Sequence, residues 1–250
     1  MTTLAEVRLW GRTIGAVSLA AGARTARFQY DPAFAGSGIE VAPLTMPLAE
    51  RIYSFPALPF AAFHGLPGLL ADSLPDRFGN ALIDAWLARQ GRTPDSFNAV
   101  ERLCYTGRRG MGALEFHPVT GPNPDRSRRI ETEALVELAS AILTQRDNLQ
   151  TLLQEHGRDA TLRDILQVGT SAGGARAKAV IAWNESTGEV RSGQVEAGSG
   201  FGYWLLKFDG VRGNRDRELD DPQGSGAIEY AYFLMARRAG ITMKPPRLLE

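Results

Sequence analysis

The sequence predicts an α+β fold in two parts, with strands and helices in separate stretches rather than in strict alternation. Three observations carry this reading. The first 30 residues show apolar runs and period-two alternation, as strands do. Residues from Asp76, and again from Gly226, repeat apolar side chains at helical spacing. A second group of strand-like runs surrounds a glycine-rich stretch at 169–178. Between the parts lies GPNPDRSRR at 121–129, a segment with two prolines and no apolar residue. The expected domains are therefore 1–120 and 121–250.

The elements follow in order. VRLW at 7–10 and IGAV at 14–17 flank Gly11, which predicts a hairpin. Ala26, Phe28 and Tyr30 alternate with Arg27 and Gln29 in a third strand that Asp31-Pro32 ends. From 36 to 75 the prolines forbid long helices. Phe78, Ala81, Leu82, Ala85 and Trp86 then predict a helix stopped near Gly91. Thr93-Pro94 predicts the start of a second helix, running through Phe97, Val100 and Leu103. Residues 111–117 read as a short strand. Past the linker, Leu135, Leu138 and Ile142 mark a helix with a polar opposite face. AVIAW at 179–183, Val190 and YWLLKF at 203–208 read as strands. A helix is expected over 226–238, its apolar stripe formed by Ile228, Ala231, Tyr232 and Met235, with Gly240 capping its end.

Bulk properties exclude several classes. A chain of 250 residues, 44% hydrophobic and 22% charged, is an ordinary globular composition. Its 28 basic and 28 acidic residues balance, so there is no general footprint for nucleic acid. The basic runs at Arg108-Arg109 and at Arg126, Arg128 and Arg129 read as solvated loops. Cys104 is the one cysteine; it lies in an apolar stretch and reads as a buried thiol. No apolar run approaches the roughly 18 residues of a membrane span, and MTTLAEVRLW lacks the marks of a signal peptide. The expected location is the cytoplasm, without membrane contact.

The chemistry centres on GTSAGGARAK at 169–178. Glycines and small residues let backbone amides approach phosphate oxygens closely. Ser171 adds a hydroxyl, and Arg176 and Lys178 add positive charge. The stretch is not a Walker loop, because Lys178 leads into a strand pattern rather than a helix. Its neighbours give it meaning. A kinase nucleotide lobe needs a glycine-rich loop between strands, a lysine on a later strand and a glutamate on the next helix. Lys207 sits inside an apolar strand pattern, where a charge is costly unless paired. Glu229 opens the following helix. Loop, strand, turn, strand with lysine, and helix with glutamate occur in that order.

GTSAGGARAK, LLKFDG and IEYAYFLMARRAGI together resemble the HipA family of serine/threonine kinase toxins. In the first half VRLWGRTIGAVS, the LPD of 74–76 and MGALEF resemble that family's N-terminal subdomain. The resemblance implies an N-terminal subdomain of small β-sheet and helices, followed by a kinase-like N-lobe. It implies ATP bound at Ser171, Gly173, Gly174, Lys178 and Lys207, with Glu229 orienting the lysine and Ser171 autophosphorylated. It implies Mg²⁺ as well, held mainly by residues outside this chain. The implied partners are a HipB-type helix-turn-helix antitoxin, DNA only through it, and a protein substrate such as an aminoacyl-tRNA synthetase. No segment resembles the catalytic-loop and metal-binding motifs of a kinase C-lobe, and 21 residues follow Glu229. The expectation is a nucleotide lobe with the C-lobe absent, no catalytic residue or metal ligand in the chain, and incomplete activity. Phe208-Asp209-Gly210 reads as a turn after the lysine strand. The alternative is a non-catalytic module that binds the antitoxin or a separate C-lobe.

Two other chemistries are weaker. His64, His117 and His156 have no metal-ligand spacing. Gly169-Thr170-Ser171-Ala172-Gly173 matches the G-x-S-x-G hydrolase elbow, but no histidine follows His156 and a strand, not a helix, comes next.

Overall fold

In a computed structural model of the chain, residues 2–110, 112–121, 129, 178–194, 196–209 and 224–249 are described. The described elements mix helices with antiparallel sheet, an α+β arrangement. They fall into two compact units, one holding the described residues up to Gly121 and one those from Arg129 onward.

The first unit is built on a five-stranded sheet in the order β4-β3-β2-β1-β5. Strands β1 (Thr3–Leu9) and β2 (Arg12–Leu19) form the expected hairpin. Its turn holds Trp10 at φ 49° and Gly11 at φ 78°. Two successive positive φ values match the right-handed twist of the strands they join. Strand β3 (Arg27–Tyr30) pairs with β2 on one side and with β4 (Ile52–Tyr53) on the other. Strand β5 (Leu114–His117) closes the far edge against β1 and is shorter than the run expected from 111.

Prolines keep the connecting helices to single turns: α1 (Pro32–Ala35), α2 (Phe60–Phe63) and α3 (Gly68–Ala71). Helix α4 (Arg77–Arg89) begins where Asp76 accepts the Gly79 amide at 2.8 Å.

The next stretch departs from expectation. Pro94–Ser96 forms a 3₁₀ turn, the chain extends at Phe97, and α5 (Ala99–Thr106) starts afresh. The cause is a capping box. Asn98 accepts the Glu101 amide at 3.0 Å, and Glu101 accepts the Asn98 amide at 2.7 Å. The Asn98 side chain also donates to Thr3 Oγ1 at 2.8 Å, which fixes the helix start to β1.

Val100, Leu103 and Cys104 of α5 pack on Ala5, Val7, Val17, Phe28 and Phe116 of the sheet. Burying a Val, Leu or Phe side chain is worth about 1.5–3 kcal/mol, so this layer holds α5 on the sheet. Ile83 and Leu87 of α4 meet Phe97 and Tyr105 in a smaller cluster, with Trp86 against it. Burial pushes the Cys104 thiol up to about 11, and the residue is only 3% exposed. Cys104 is therefore expected to resist iodoacetamide at pH 8 and to alkylate only in denaturant; mass spectrometry reads the difference.

The second unit carries a three-stranded antiparallel sheet in the order β7-β6-β8. Its strands are β6 (Lys178–Trp183), β7 (Val190–Ser192) and β8 (Gly202–Lys207). Asn184 shapes the β6–β7 turn by accepting the Ser186 and Thr187 amides at 3.0 and 3.2 Å. Gly193 follows β7 at a point of close approach: a Cβ there would lie 2.7 Å from the Ile181 carbonyl carbon and oxygen. On one face of the sheet the Trp183 and Trp204 rings meet edge to face with centroids 5.6 Å apart.

Helix α6 (Ser225–Arg238) follows the strands, with Arg237 and Arg238 in its last turn. Its apolar stripe does not lie in a core. Ile228, Tyr232 and Met235 are exposed, and the buried residues are Ser225 and Phe233. The helical period of the stripe is present, but the pattern did not specify which face packs.

Candidate functional site

Strand β8 ends in Lys207, and α6 presents Glu229 one turn past its start. The two meet: Lys207 Nζ donates to Glu229 Oε2 at 2.6 Å. Both side chains are nearly half exposed, 48% and 45%. An ion pair that exposed is worth only about 0–1 kcal/mol to stability. Its consequence is therefore positional, since it sets the direction of a cation at the end of a strand.

Lys178, the first residue of β6, stands directly across from Lys207. It is the Cα partner of Lys207 across the β6–β8 pairing. Directly opposed residues of an antiparallel pair share a face, with Cβ atoms about 4.5–5.5 Å apart. Two lysines in that relation concentrate positive charge, which is unfavourable for the sheet and favourable for an anion of several charges. The distribution of lysine over the chain makes the pairing more pointed. The sequence has three lysines, Lys178, Lys207 and Lys244, all in this unit. Lys178 is buried, at 8% exposure.

A cavity of about 390 Å³ lies against this corner. Ile181, Trp183 and Trp204 line it from the sheet, and Ser225, Glu229 and Tyr230 from α6. Lys207, Asp209 and the chain from Pro246 to Leu249 also line it. Arg247 in that last segment reaches Glu185 in the β6–β7 turn at 3.1 Å.

Asp209 is the participant that sequence reasoning missed. The turn it sits in was expected, but its role was not. Its carboxylate accepts the Gly224 amide at 3.0 Å, the Ser225 amide at 3.3 Å and the Ser225 hydroxyl at 2.9 Å. It thus caps α6 from outside the helix, where Gly224 has no side chain to do so. Burial pushes its carboxyl up, but hydrogen bonds from the Ser225 hydroxyl and the Gly224, Gly226 and Ser225 amides outweigh this and hold it below the usual carboxylate value. The sign of the pH dependence follows. The cap's contribution is full above the unfolded value of about 3.8 and is lost as pH falls through the lower folded value. The melting temperature of wild type should thus exceed that of Asp209→Asn by less at pH 3 than at pH 6, as read by thermal scans.

Ser171, Gly173 and Gly174, expected in the phosphate loop, lie outside the described residues, as do Arg176 and the helix expected around Leu135 to Ile142. Of the expected site residues, Lys178, Lys207 and Glu229 are described, and they converge on one end of the β6–β8 pair. Among the described residues no group of three or more His, Cys, Asp or Glu is placed to hold a metal ion. None of the helices searched among those residues is long and apolar enough to cross a membrane.

Comparison with known families agrees with this two-part layout. The model of the HipA N-terminal domain matches residues 5–117, which spans the five-stranded sheet and its helices. The model of the HipA-like C-terminal domain matches residues 170–250, which includes β6, β7, β8 and α6. The two matches occur in order and together take in most of the chain. The chain belongs to the HipA family. A search of curated proteins finds no match.

Proposed function

We propose that the second unit is the nucleotide-holding part of a HipA-type serine/threonine kinase toxin, a kinase-like N-lobe that binds ATP. The observation that carries the reading is the 2.6 Å Lys207–Glu229 pair. A lysine at the end of a strand, steered by a glutamate on the next helix, is the arrangement kinases use to hold nucleotide phosphates. In this reading Lys207 contacts the phosphates and Glu229 orients it. Lys178 closes the glycine loop, whose Ser171, Gly173 and Gly174 offer a hydroxyl and backbone amides to phosphate oxygens. Ser171 is also the residue this reading assigns to autophosphorylation.

The described residues fit a polyphosphate in the chemistry of their donors, with two lysines opposed on one face. They offer Mg²⁺ no cluster of carboxylates, so the ion has no assigned ligand in this reading. The chain's own residues bind and orient the nucleotide. Nothing in the sequence resembles the catalytic-loop Asp and Asn that phosphoryl transfer needs. The 250-residue chain is expected to hold ATP without transferring its phosphate. Its partners in this reading are a HipB-type antitoxin, through which alone it meets DNA, and a substrate of the translation machinery such as an aminoacyl-tRNA synthetase, all in the cytoplasm.

The exposed stripe of Ile228, Tyr232 and Met235 favours a second reading, a non-catalytic module that binds the antitoxin or a separate kinase lobe. Equilibrium dialysis with ATP, followed by incubation with γ-labelled ATP and Mg²⁺, separates the two. Saturable ATP binding with no label transferred supports the first reading. Robust phosphorylation by the chain itself would sink the assignment of holding without transfer. No ATP binding, with antitoxin binding intact, would favour the second.

A further inference from the structure

The end of β8 and the bend just past it are joined to helix α6 twice, and the helix-side participants lie one turn apart. On the strand side the participants are Lys207 and, two residues on, Asp209. On the helix side they are Ser225 and, four residues on, Glu229. Residues four apart share one face of a helix. The first join is Lys207 to Glu229 at 2.6 Å. The second is Asp209 to Ser225, through the hydroxyl at 2.9 Å and the amide at 3.3 Å, with the Gly224 amide at 3.0 Å beside it. The sequence between Asp209 and Gly224, GVRGNRDRELDDPQ, has two apolar residues beyond its glycines, Val211 and Leu219.

We propose that Asp209 is a positioning residue, which by clamping the first turn of α6 to the end of β8 aims Glu229 at Lys207. Glu229 gains its direction from the helix that carries it. The N-cap of that helix is Gly224, which has φ 97° and no capping side chain of its own. Without Asp209 the amides of the first turn lack the acceptor that holds them, and a helix end without a cap frays. Fraying reaches Glu229, since it lies in the second turn. Asp209 touches neither Lys207 nor the cavity's aromatic wall in any described bond; it acts through Ser225 and the backbone. The exposed ion pair cannot hold the helix unaided, being worth no more than about 1 kcal/mol. The geometry stands without any nucleotide. Its consequence for ATP rests on the reading of Lys207 as the phosphate lysine.

Because the chain has three lysines, amine acylation reports on Lys207 directly. Trace labelling of the full chain with acetic anhydride, read by mass spectrometry, gives the rate at Lys207 relative to Lys244. Glu229→Gln is expected to raise that ratio about threefold, as an exposed ion pair of this kind would when lost. Asp209→Ala should raise it to a similar extent, and the double variant no further. Asp209→Asn, whose amide oxygen still accepts backbone N–H groups, should return most of the wild-type ratio. Ser225→Ala, which removes one bond of the clamp, should fall between if Asp209→Ala proves poorly folded. A purely structural role would lower the melting temperature and leave the ratio at its wild-type value. That result in Asp209→Ala and Ser225→Ala, with Glu229→Gln active, overturns the proposal, as does a ratio that Glu229→Gln itself does not move. The readout contains no ATP, so its failure is separate from a failure of nucleotide binding.

Discussion

Replacing Lys207 with methionine is expected to weaken ATP binding by about 30- to 150-fold, the loss of a charged hydrogen bond worth roughly 2–3 kcal/mol. Methionine keeps the length and removes the ammonium, so it isolates charge from shape. The protein itself should change little. The Lys207–Glu229 pair is nearly half exposed, and pairs of that kind contribute about 0–1 kcal/mol. A thermal melt should therefore move by a few degrees at most while the affinity collapses. Glu229→Gln should have a smaller effect on affinity, because it leaves the cation in place and removes only what steers it. Calorimetric titration of ATP into the variants measures both. A Lys207→Met chain that binds ATP as wild type does would show that the strand lysine is a surface residue with an acidic neighbour and nothing more.

The largest expected loss of stability lies at a residue with no side chain. Gly193 follows β7, and any Cβ there would sit 2.7 Å from the carbonyl of Ile181 in β6 and 2.9 Å from its amide nitrogen. The obstructing atoms are backbone, held in the ladder to β8 through the Ile181–Trp204 register. They cannot move aside as the end of a flexible side chain can. Gly193→Val should therefore cost about 3 kcal/mol or more in the second unit, at the upper end of what overpacking costs. The first unit should be spared. Trp183 and Trp204 report on the damaged sheet, and Trp10 and Trp86 lie in the other unit. Urea titration followed by tryptophan emission should then show an early transition absent from wild type. A single unchanged transition would mean that β6 yields where its ladder says it should not.

Much of this arrangement was legible in the residues. The hairpin around Gly11 and the start of α4 at Asp76 each depend on contacts within a few positions, and short-range patterns report those well. The same is true of the order that places a strand lysine before a helix glutamate. The break between the 3₁₀ turn and α5 was legible too, in the Asn98-x-x-Glu101 spacing, but the Thr93-Pro94 start signal took precedence. Other features had no local signature. Asp209 caps a helix whose N-cap, Gly224, lies 15 residues later, and an acceptor supplied across such a gap leaves no spacing to recognise. The stripe on α6 shows the remaining limit. Periodicity places Ile228, Tyr232 and Met235 on one face, and nothing in it says that the face stays exposed. The glycine loop from which the nucleotide reading began lies outside the described residues. The reading now stands on Lys207, Glu229 and Lys178.

An acyl-phosphate derivative of ATP tests that reading most directly, because it transfers its acyl group to a lysine lying beside the bound phosphates. With Lys178, Lys207 and Lys244 as the only lysines in the sequence, peptide mass spectrometry resolves each outcome. Nucleotide held at the end of the β6–β8 pair predicts label on Lys207, with Lys178 second, suppressed by excess ATP. Label on Lys244 alone, or label on Lys207 that excess ATP does not reduce, would contradict it.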